Sequence, residues 1–222
     1  RTVCKLISEF GRRGELERAF AVFLWTMRGS SRPNVFHFNA MLSACGRWKR
    51  LPLALSLLRC MREMQLKPDV FTFSSLVQTC AKEREGRMAI SLFREMEQEG
   101  IAPNTVVYNN VLVACARAEL FGQAIYFFWR MKEEGIPPDL VSYSAIISSL
   151  ASRKDLSSAL LVLKEIRGQG LRPDKLIYTN LLHAAQTSRR PHKAMEIYEL
   201  MLDDGLEPDA VVFSCLIGAW GR

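Results

Sequence analysis

An all-α solenoid of stacked helical hairpins is the fold this sequence predicts, and three observations predict it. One interval of 35 residues holds for several residue types, apolar residues recur at helical spacing in both halves of each interval, and the joins carry helix stop and start signals. The interval is plainest in Pro33, Pro68, Pro103, Pro138, Pro173 and Pro208, each followed by Asn or Asp. Ala19, Ala54, Ala89, Ala124, Ala159 and Ala194 keep the same step, as do Gly100, Gly135, Gly170 and Gly205. In such an array each unit packs on its neighbours and the core is a continuous strip. The chain therefore reads as one array over residues 1–222, with units near 1–34, 35–69, 70–104, 105–139, 140–174 and 175–209 and a partial unit at 210–222.

The first unit shows Val3, Leu6, Ile7 and Phe10 on one face, then Ala19, Val22 and Phe23 on a second. Its end is irregular: Met27 is displaced by one place and Gly29-Ser30-Ser31 replaces the usual glycine turn. The next first helices carry Phe38, Met41, Leu42 and Cys45; Phe73, Leu76, Val77 and Cys80; Tyr108, Val111, Leu112 and Cys115; and Tyr143, Ile146, Ile147 and Leu150. This i, i+3, i+4, i+7 spacing is one face of a helix. The second helices repeat it with Ala54, Leu57, Leu58 and Met61; Ala89, Leu92, Phe93 and Met96; Ala124, Phe127, Phe128 and Met131; and Ala159, Val162, Leu163 and Ile166. Short polar turns such as Arg47-Trp48-Lys49-Arg50 and Lys82-Glu83-Arg84-Glu85-Gly86 separate the two helices of a unit. The second helix stops at a glycine suited to the left-handed C-terminal position, with proline two or three residues beyond. The small alanines let neighbouring helices approach closely. Periodicity leaves the hand of the resulting superhelix open.

The chain has 222 residues, 49% of them apolar, and a net charge of +7, which favours a polyanionic partner over a cationic one. Its six cysteines show no CxxC or Cys/His ligand spacing. Cys45, Cys80 and Cys115 share one repeat position and read as buried, reduced core thiols. No metal or other cofactor is expected. No apolar run approaches the roughly 20 residues that span a bilayer, so no membrane association is expected. Arg1 and Arg222 both fall inside repeats, which reads as an excerpt of a longer protein whose targeting information lies elsewhere.

At these joins the chain resembles the pentatricopeptide repeat family, whose 35-residue hairpins end in a Gly-x-x-Pro-Asp pattern and restart with Val-x-Tyr-Asn. Residues 135–144, Gly-Ile-Pro-Pro-Asp-Leu-Val-Ser-Tyr-Ser, carry the pattern. The tetratricopeptide repeat, with its 34-residue period and Trp-Leu-Gly-Tyr pattern, does not fit. The resemblance covers the whole chain and the uniform interval is similar to the P-type arrays. It implies a right-handed superhelix that binds single-stranded RNA at about one base per repeat. The base is chosen by the residue after the aromatic, paired with the Asp or Asn after the closing Pro. Asp only accepts hydrogen bonds, which suits the imino N–H of U or G, whereas Asn can donate to a ring nitrogen of A or C.

Carried onto this sequence, the resemblance implies that Asn39 with Asp69 reads U and Ser74 with Asn104 reads A. Asn109 with Asp139 reads U, with C second, while Ser144 with Asp174 and Thr179 with Asp209 each read G. The implied core is 5′-UAUGG-3′. The first unit pairs Cys4 with Asn34 and has no assigned base; Ser214 has no partner within the chain. Phe36, Phe71, Val106, Val141 and Leu176 stand three residues before the coding position, where the family wedges bases between apolar side chains. Arg12, Arg47, Lys82, Arg117 and Arg222 match a family lysine that meets phosphate, a source of salt-dependent, sequence-blind affinity. Ser152 and Thr187 interrupt that basic ladder, so phosphate binding is expected to weaken toward the C-terminal units.

Each feature also has a purely structural role to weigh. Asp or Asn after Pro caps the following helix, Phe36 and Phe71 can be packing residues, and an exposed Arg can simply be solvated. A cap does not explain why the residue after the aromatic is always Asn, Ser or Thr in the readable units. An enzyme is not expected: the aspartates are strung out one per unit, and His37, His183 and His192 hold unrelated positions. No phosphate-binding glycine loop is present, and any catalytic domain would be appended outside this chain. The remaining alternative is a protein-binding scaffold, with RNA-dependent self-association or protein partners. By resemblance the expected setting is a chloroplast or mitochondrion, in RNA processing, stability, splicing or translation.

Overall fold

The computed structural model describes residues 2–28 and 33–221, and these residues form thirteen α-helices and no strand. In order they are α1 (Thr2–Arg13), α2 (Leu16–Arg28), α3 (Val35–Arg47), α4 (Leu51–Glu63), α5 (Val70–Glu83), α6 (Gly86–Gln98), α7 (Thr105–Arg117), α8 (Phe121–Glu133), α9 (Leu140–Ser152), α10 (Leu156–Gly168), α11 (Lys175–Thr187), α12 (Pro191–Asp203) and α13 (Ala210–Trp220). This is an all-α helical-repeat solenoid. The chain divides into two compact units, Arg1–Ala118 and Glu119–Arg222. Their boundary falls in the turn between α7 and α8, within a repeat rather than at its end. The irregular stretch at Gly29-Ser30-Ser31 lies outside the described residues.

Both kinds of turn close with the same chemistry. At the end of α4 the Leu66 N–H donates to Met61 O at 3.0 Å and the Gln65 N–H to Arg62 O at 2.8 Å, the paired bonds of a Schellman cap. The same pair recurs after α6, α8, α10 and α12 around Gly100, Gly135, Gly170 and Gly205, all at positive φ. Gln65 holds this conformation at φ 59° without being glycine. The turns inside the hairpins use it too, at Gly14, Lys49, Arg84, Glu119, Lys154 and Arg189. Only the first of these is glycine, so this second left-handed series carries no sequence signal. A left-handed residue with a Cβ costs about 1–2 kcal/mol, partly offset by the greater unfolded-state freedom of glycine. Gln65→Gly is therefore expected to stabilise the chain by about 0.5–1 kcal/mol, read as a raised urea midpoint with unchanged m-value.

Within each unit the odd-numbered helices stack directly: α1 on α3, α3 on α5 and α5 on α7 in one, α9 on α11 and α11 on α13 in the other. Small residues make this possible. A Cβ added to Gly11 would lie 2.8 Å from the Cβ of Ala44, and one added to Gly46 would lie 2.8 Å from Thr79 Oγ1. No two even-numbered helices of a unit approach within 8 Å between Cα atoms among the described residues. Long charged side chains span that wider gap: Arg62 of α4 pairs with Glu95 of α6 at 2.6 Å and also with Glu99. Lys132 of α8 pairs with Glu165 of α10 at 2.7 Å, and Arg167 of α10 with Asp204 of α12 at 2.9 Å. Each unit is thus tight along its odd helices and open along its even ones. The odd helices form the inner row.

The core is the apolar periodicity turned inward. Phe38, Phe73, Tyr108, Tyr143 and Tyr178 are fully buried at the start of successive odd helices, and Ala19 and its five equivalents are buried at the hairpin crossings. Phe38 meets Phe23 edge to face with centroids 5.0 Å apart, and Tyr108 meets Phe93 likewise at 5.0 Å. Cys45, Cys80 and Cys115 are buried as free thiols, and burial pushes each up to about 12, so they are not thiolates at neutral pH. The ends of the array depart from the pattern. Leu6, expected on the inward face of α1, is 40% exposed, and Phe213 at the aromatic position of α13 is 47% exposed. Each belongs to a terminal helix of the described structure, where a core position lacks a neighbouring helix on one side.

Candidate nucleic-acid interface

The residue after each closing proline has its place set by the helix that follows. Asn34, Asp69, Asn104, Asp139, Asp174 and Asp209 are N-caps in extended backbone conformation. Their side chains accept from the backbone N–H of His37 (3.3 Å), Thr72 (2.8 Å), Val107 (3.1 Å), Ser142 (3.0 Å), Ile177 (2.9 Å) and Val212 (3.1 Å). The structural role set against base reading is therefore real at every unit. It does not exhaust these groups: at Asn34 and Asn104 the cap uses the amide oxygen and leaves the NH₂, and at Asp174 and Asp209 the bonds from the backbone fall on Oδ1 alone. At Asp209 the Val212 N–H bond, with Lys175 at 3.6 Å, holds the carboxyl below the usual carboxylate range, so it remains an ionised acceptor. His37 proves to be part of a cap: its Nδ1 accepts from the Asn34 N–H at 3.2 Å, and burial lowers its pKa.

In the unit that begins at α3 the two residues expected to read a base, Asn39 and Asp69, meet. Asn39 Nδ2 donates to Asp69 Oδ1 and Oδ2 at 3.0 and 3.1 Å, and the Thr72 hydroxyl lies 2.7 Å from Asn39 Oδ1. The network leaves an Asn39 N–H and Asp69 lone pairs available side by side, a donor and an acceptor of the kind uracil complements with O4 and N3–H. In the next unit Ser74 is half-buried and receives the Asn110 amide, which donates to Ser74 O at 3.2 Å and Ser74 Oγ at 3.3 Å. Asn104, its expected partner in base reading, is exposed. Asn109 and Asp139 fall in different compact units. Asn109 and Ser144 are nearly buried, at 8% and 9% exposure, while Thr179 donates its hydroxyl to Lys175 O at 2.8 Å. Asp174 is exposed and Asp209 half-buried.

The apolar series is the clearest feature of the surface. Phe36 is 72% exposed and Phe71 73%, with Val106, Val141 and Leu176 at 50–56%. These side chains pack nowhere in the core, although each sits two residues before a fully buried aromatic. Val211, 35 residues beyond Leu176 and 54% exposed, continues the series and was equally visible in the interval. Large apolar side chains held in water at one repeat position mark a contact surface more than scattered exposure does.

Of the basic ladder, Arg12 and Arg47 are exposed at the ends of α1 and α3. Arg117 donates to Ala81 O at 3.3 Å, and Lys82 is half-buried. Burial, then the charges of Arg47 and Arg117, lowers the pKa of Lys82, so these three cations feel one another across neighbouring helices. Such a cluster gains by binding an anion. Ser152 and Thr187, which stand where the ladder is interrupted, turn their hydroxyls onto Ser148 O and His183 O of their own helices. Arg222 lies outside the described residues.

Helical hairpins that repeat one capped Pro-Asp or Pro-Asn join and one exposed apolar side chain per unit define a modular repeat protein. The profile of the pentatricopeptide repeat domain matches residues 28–83, 56–118, 91–153 and 161–222, and that of the single repeat matches 141–171. The chain belongs to the pentatricopeptide repeat family. No curated protein matches the sequence. Among solved structures, the pentatricopeptide repeat protein PPR10 from maize superposes with a TM-score of 0.74 at 25% identity, over 97% of this chain and 31% of that one. PPR10 in complex with an 18-nt psaJ RNA element superposes at 0.68 and 22% identity, over 97% and 35%. The PPR domain of Arabidopsis thaliana protein-only RNase P 1 in complex with tRNA superposes at 0.69 and 16% identity, over 82% and 95%. This chain thus spans about a third of the PPR10 length that it matches.

Proposed function

We propose that this chain binds single-stranded RNA in a sequence-specific manner, about one base per unit, with a core target of 5′-UAUGG-3′, and acts by occupancy. The observation that carries the reading is the coincidence, on the inner helices, of exposed Phe36, Phe71, Val106, Val141 and Leu176 with coding residues whose caps leave hydrogen-bonding groups unspent. Apolar side chains offer faces on which bases stack regardless of sequence, and the polar pairs offer a choice among bases. The Arg47, Lys82 and Arg117 cluster supplies charge for the backbone. That the structures of PPR10 and of the RNase P repeat domain were obtained with RNA supports the same reading. The setting proposed is a chloroplast or mitochondrion, where a bound array shields, remodels or presents a transcript for processing, splicing or translation. A bound catalytic partner or appended domain would supply any chemistry.

The test is a fluorescence-anisotropy titration against an RNA containing UAUGG, a scrambled RNA and the DNA equivalent. Preference for UAUGG is expected, with affinity falling as salt rises by a log–log slope of about −0.7 per neutralised phosphate. Equal binding to all strands would leave the basic cluster and remove base reading. Absence of binding would point to the protein scaffold.

A further inference from the structure

The structure assigns Asn110 as a positioning residue that biases the Ser74 hydroxyl toward donating and so favours A over G at the second base, an inference that rests on the base-reading function above. Asn110 follows the coding residue Asn109 on α7 and reaches back to α5, where its amide lies within hydrogen-bond distance of Ser74 O and Ser74 Oγ. The orientation of that amide is not ambiguous. A backbone carbonyl can only accept, so it is the NH₂ end that faces Ser74. One of the two lone pairs of the Ser74 hydroxyl is then in use, and the hydroxyl makes no other hydrogen bond among the described residues. Its O–H is uncommitted, and a hydroxyl that already accepts one hydrogen bond is the stronger donor.

Asn104 is in the same condition. Its Oδ1 is committed to the Val107 N–H, leaving its NH₂. Ser74 and Asn104 together present two donors. Adenine can meet two donors with N1 and N3, whereas guanine carries N–H groups at N1 and N2. The unit of Thr179 and Asp209 shows the opposite arrangement. The Thr179 proton is spent on Lys175 O and the Asp209 carboxylate is capped by Val212, so both residues can only accept. Two acceptors match the adjacent N1–H and N2–H₂ of guanine. Asn180 occupies the place of Asn110 relative to Ser144 but makes no hydrogen bond to it among the described residues, and Ser144 belongs to a unit assigned to G. The hydroxyl at the coding position is thus a two-way group, and an internal hydrogen bond biases its direction.

The experiment compares wild type with Asn110→Ala by anisotropy on RNAs containing UAUGG, UGUGG and UAUGA. Alanine already stands at the equivalent places, Ala40 and Ala145, so the fold accommodates it. Without the amide, the Ser74 hydroxyl is released to bond back onto its own helix as Thr179 does, becoming an acceptor. The preference for A over G at the second base is expected to fall about fivefold, the worth of one hydrogen bond, while the preference for G over A at the fifth base stays unchanged. An unchanged second-base preference in Asn110→Ala, or an equal fall at both positions, would overturn the assignment while leaving the base-reading function standing. A wild-type chain that binds the three RNAs alike would overturn the base-reading function itself, and this inference with it.

Discussion

Alanine at Phe36 and Phe71 is expected to weaken RNA binding more than any other surface change, whatever base the RNA presents. Stacking of a base on an aromatic face contributes about 1–3 kcal/mol by alanine substitution, so each change should raise Kd by about fivefold to 150-fold. The two side chains are 72% and 73% exposed, and their removal leaves no cavity. Folding stability should therefore move by less than about 0.5 kcal/mol. Thermal melts followed by anisotropy on UAUGG and on a scrambled strand separate the two quantities. The expected pattern is unchanged melting with affinity lost on both strands. Melting lowered in step with affinity would show that the phenylalanines hold the helices rather than the RNA. Val106→Ala should follow the same pattern with a smaller loss, since an aliphatic side chain offers less face.

Asn104→Asp is expected to move the second-base preference from A toward G by about 1–3 kcal/mol of discrimination, the range of a base-edge hydrogen-bond pair. The change exchanges the NH₂ that Asn104 has left after capping for an acceptor, which suits an N–H of guanine where the amide suited a ring nitrogen of adenine. Stability should survive, because Asp caps a helix about as well as Asn and its charge suits the positive N-terminus. The measurement is the ratio of Kd for UAUGG and UGUGG in both proteins. Equal loss on the two RNAs would mean that Asn104 is a cap and nothing more.

Much of this fold can be read from residue intervals alone, because each device recurs where the same physics recurs. Pro followed by Asp or Asn marks a helix start, and the structure places a cap at every one; Gly100 and its equivalents mark the Schellman turns. The left-handed turns inside the hairpins were hidden, since Lys49, Arg84, Glu119, Lys154 and Arg189 fill them and none of these residues favours that conformation. The close stacking of the odd helices was half visible. Gly11 and Gly46 stand out in helical segments, but their partners Ala44 and Thr79 can be named only once the helices are placed. The ion pairs across the even helices, such as Lys132 with Glu165, join residues whose charges look like an ordinary solvated face.

At the candidate interface, sequence could name the positions but not the state of their hydrogen bonds. Ser74, Ser144 and Thr179 look alike in a repeat alignment of the chain with itself. One is biased toward donating by Asn110, another has turned its proton onto Lys175 O, and Ser144 is almost closed off from solvent. That distinction depends on a residue one place away in the next repeat. No single-repeat pattern contains it.

The most direct measurement of the central claim is selection from a randomised RNA pool on the immobilised protein, followed by sequencing of the bound fraction. Enrichment of UAUGG is expected, in that order from the 5′ end, with the third base the most tolerant because C stands second to U there. Enrichment of an unrelated motif, or of none while total RNA is retained, would contradict it.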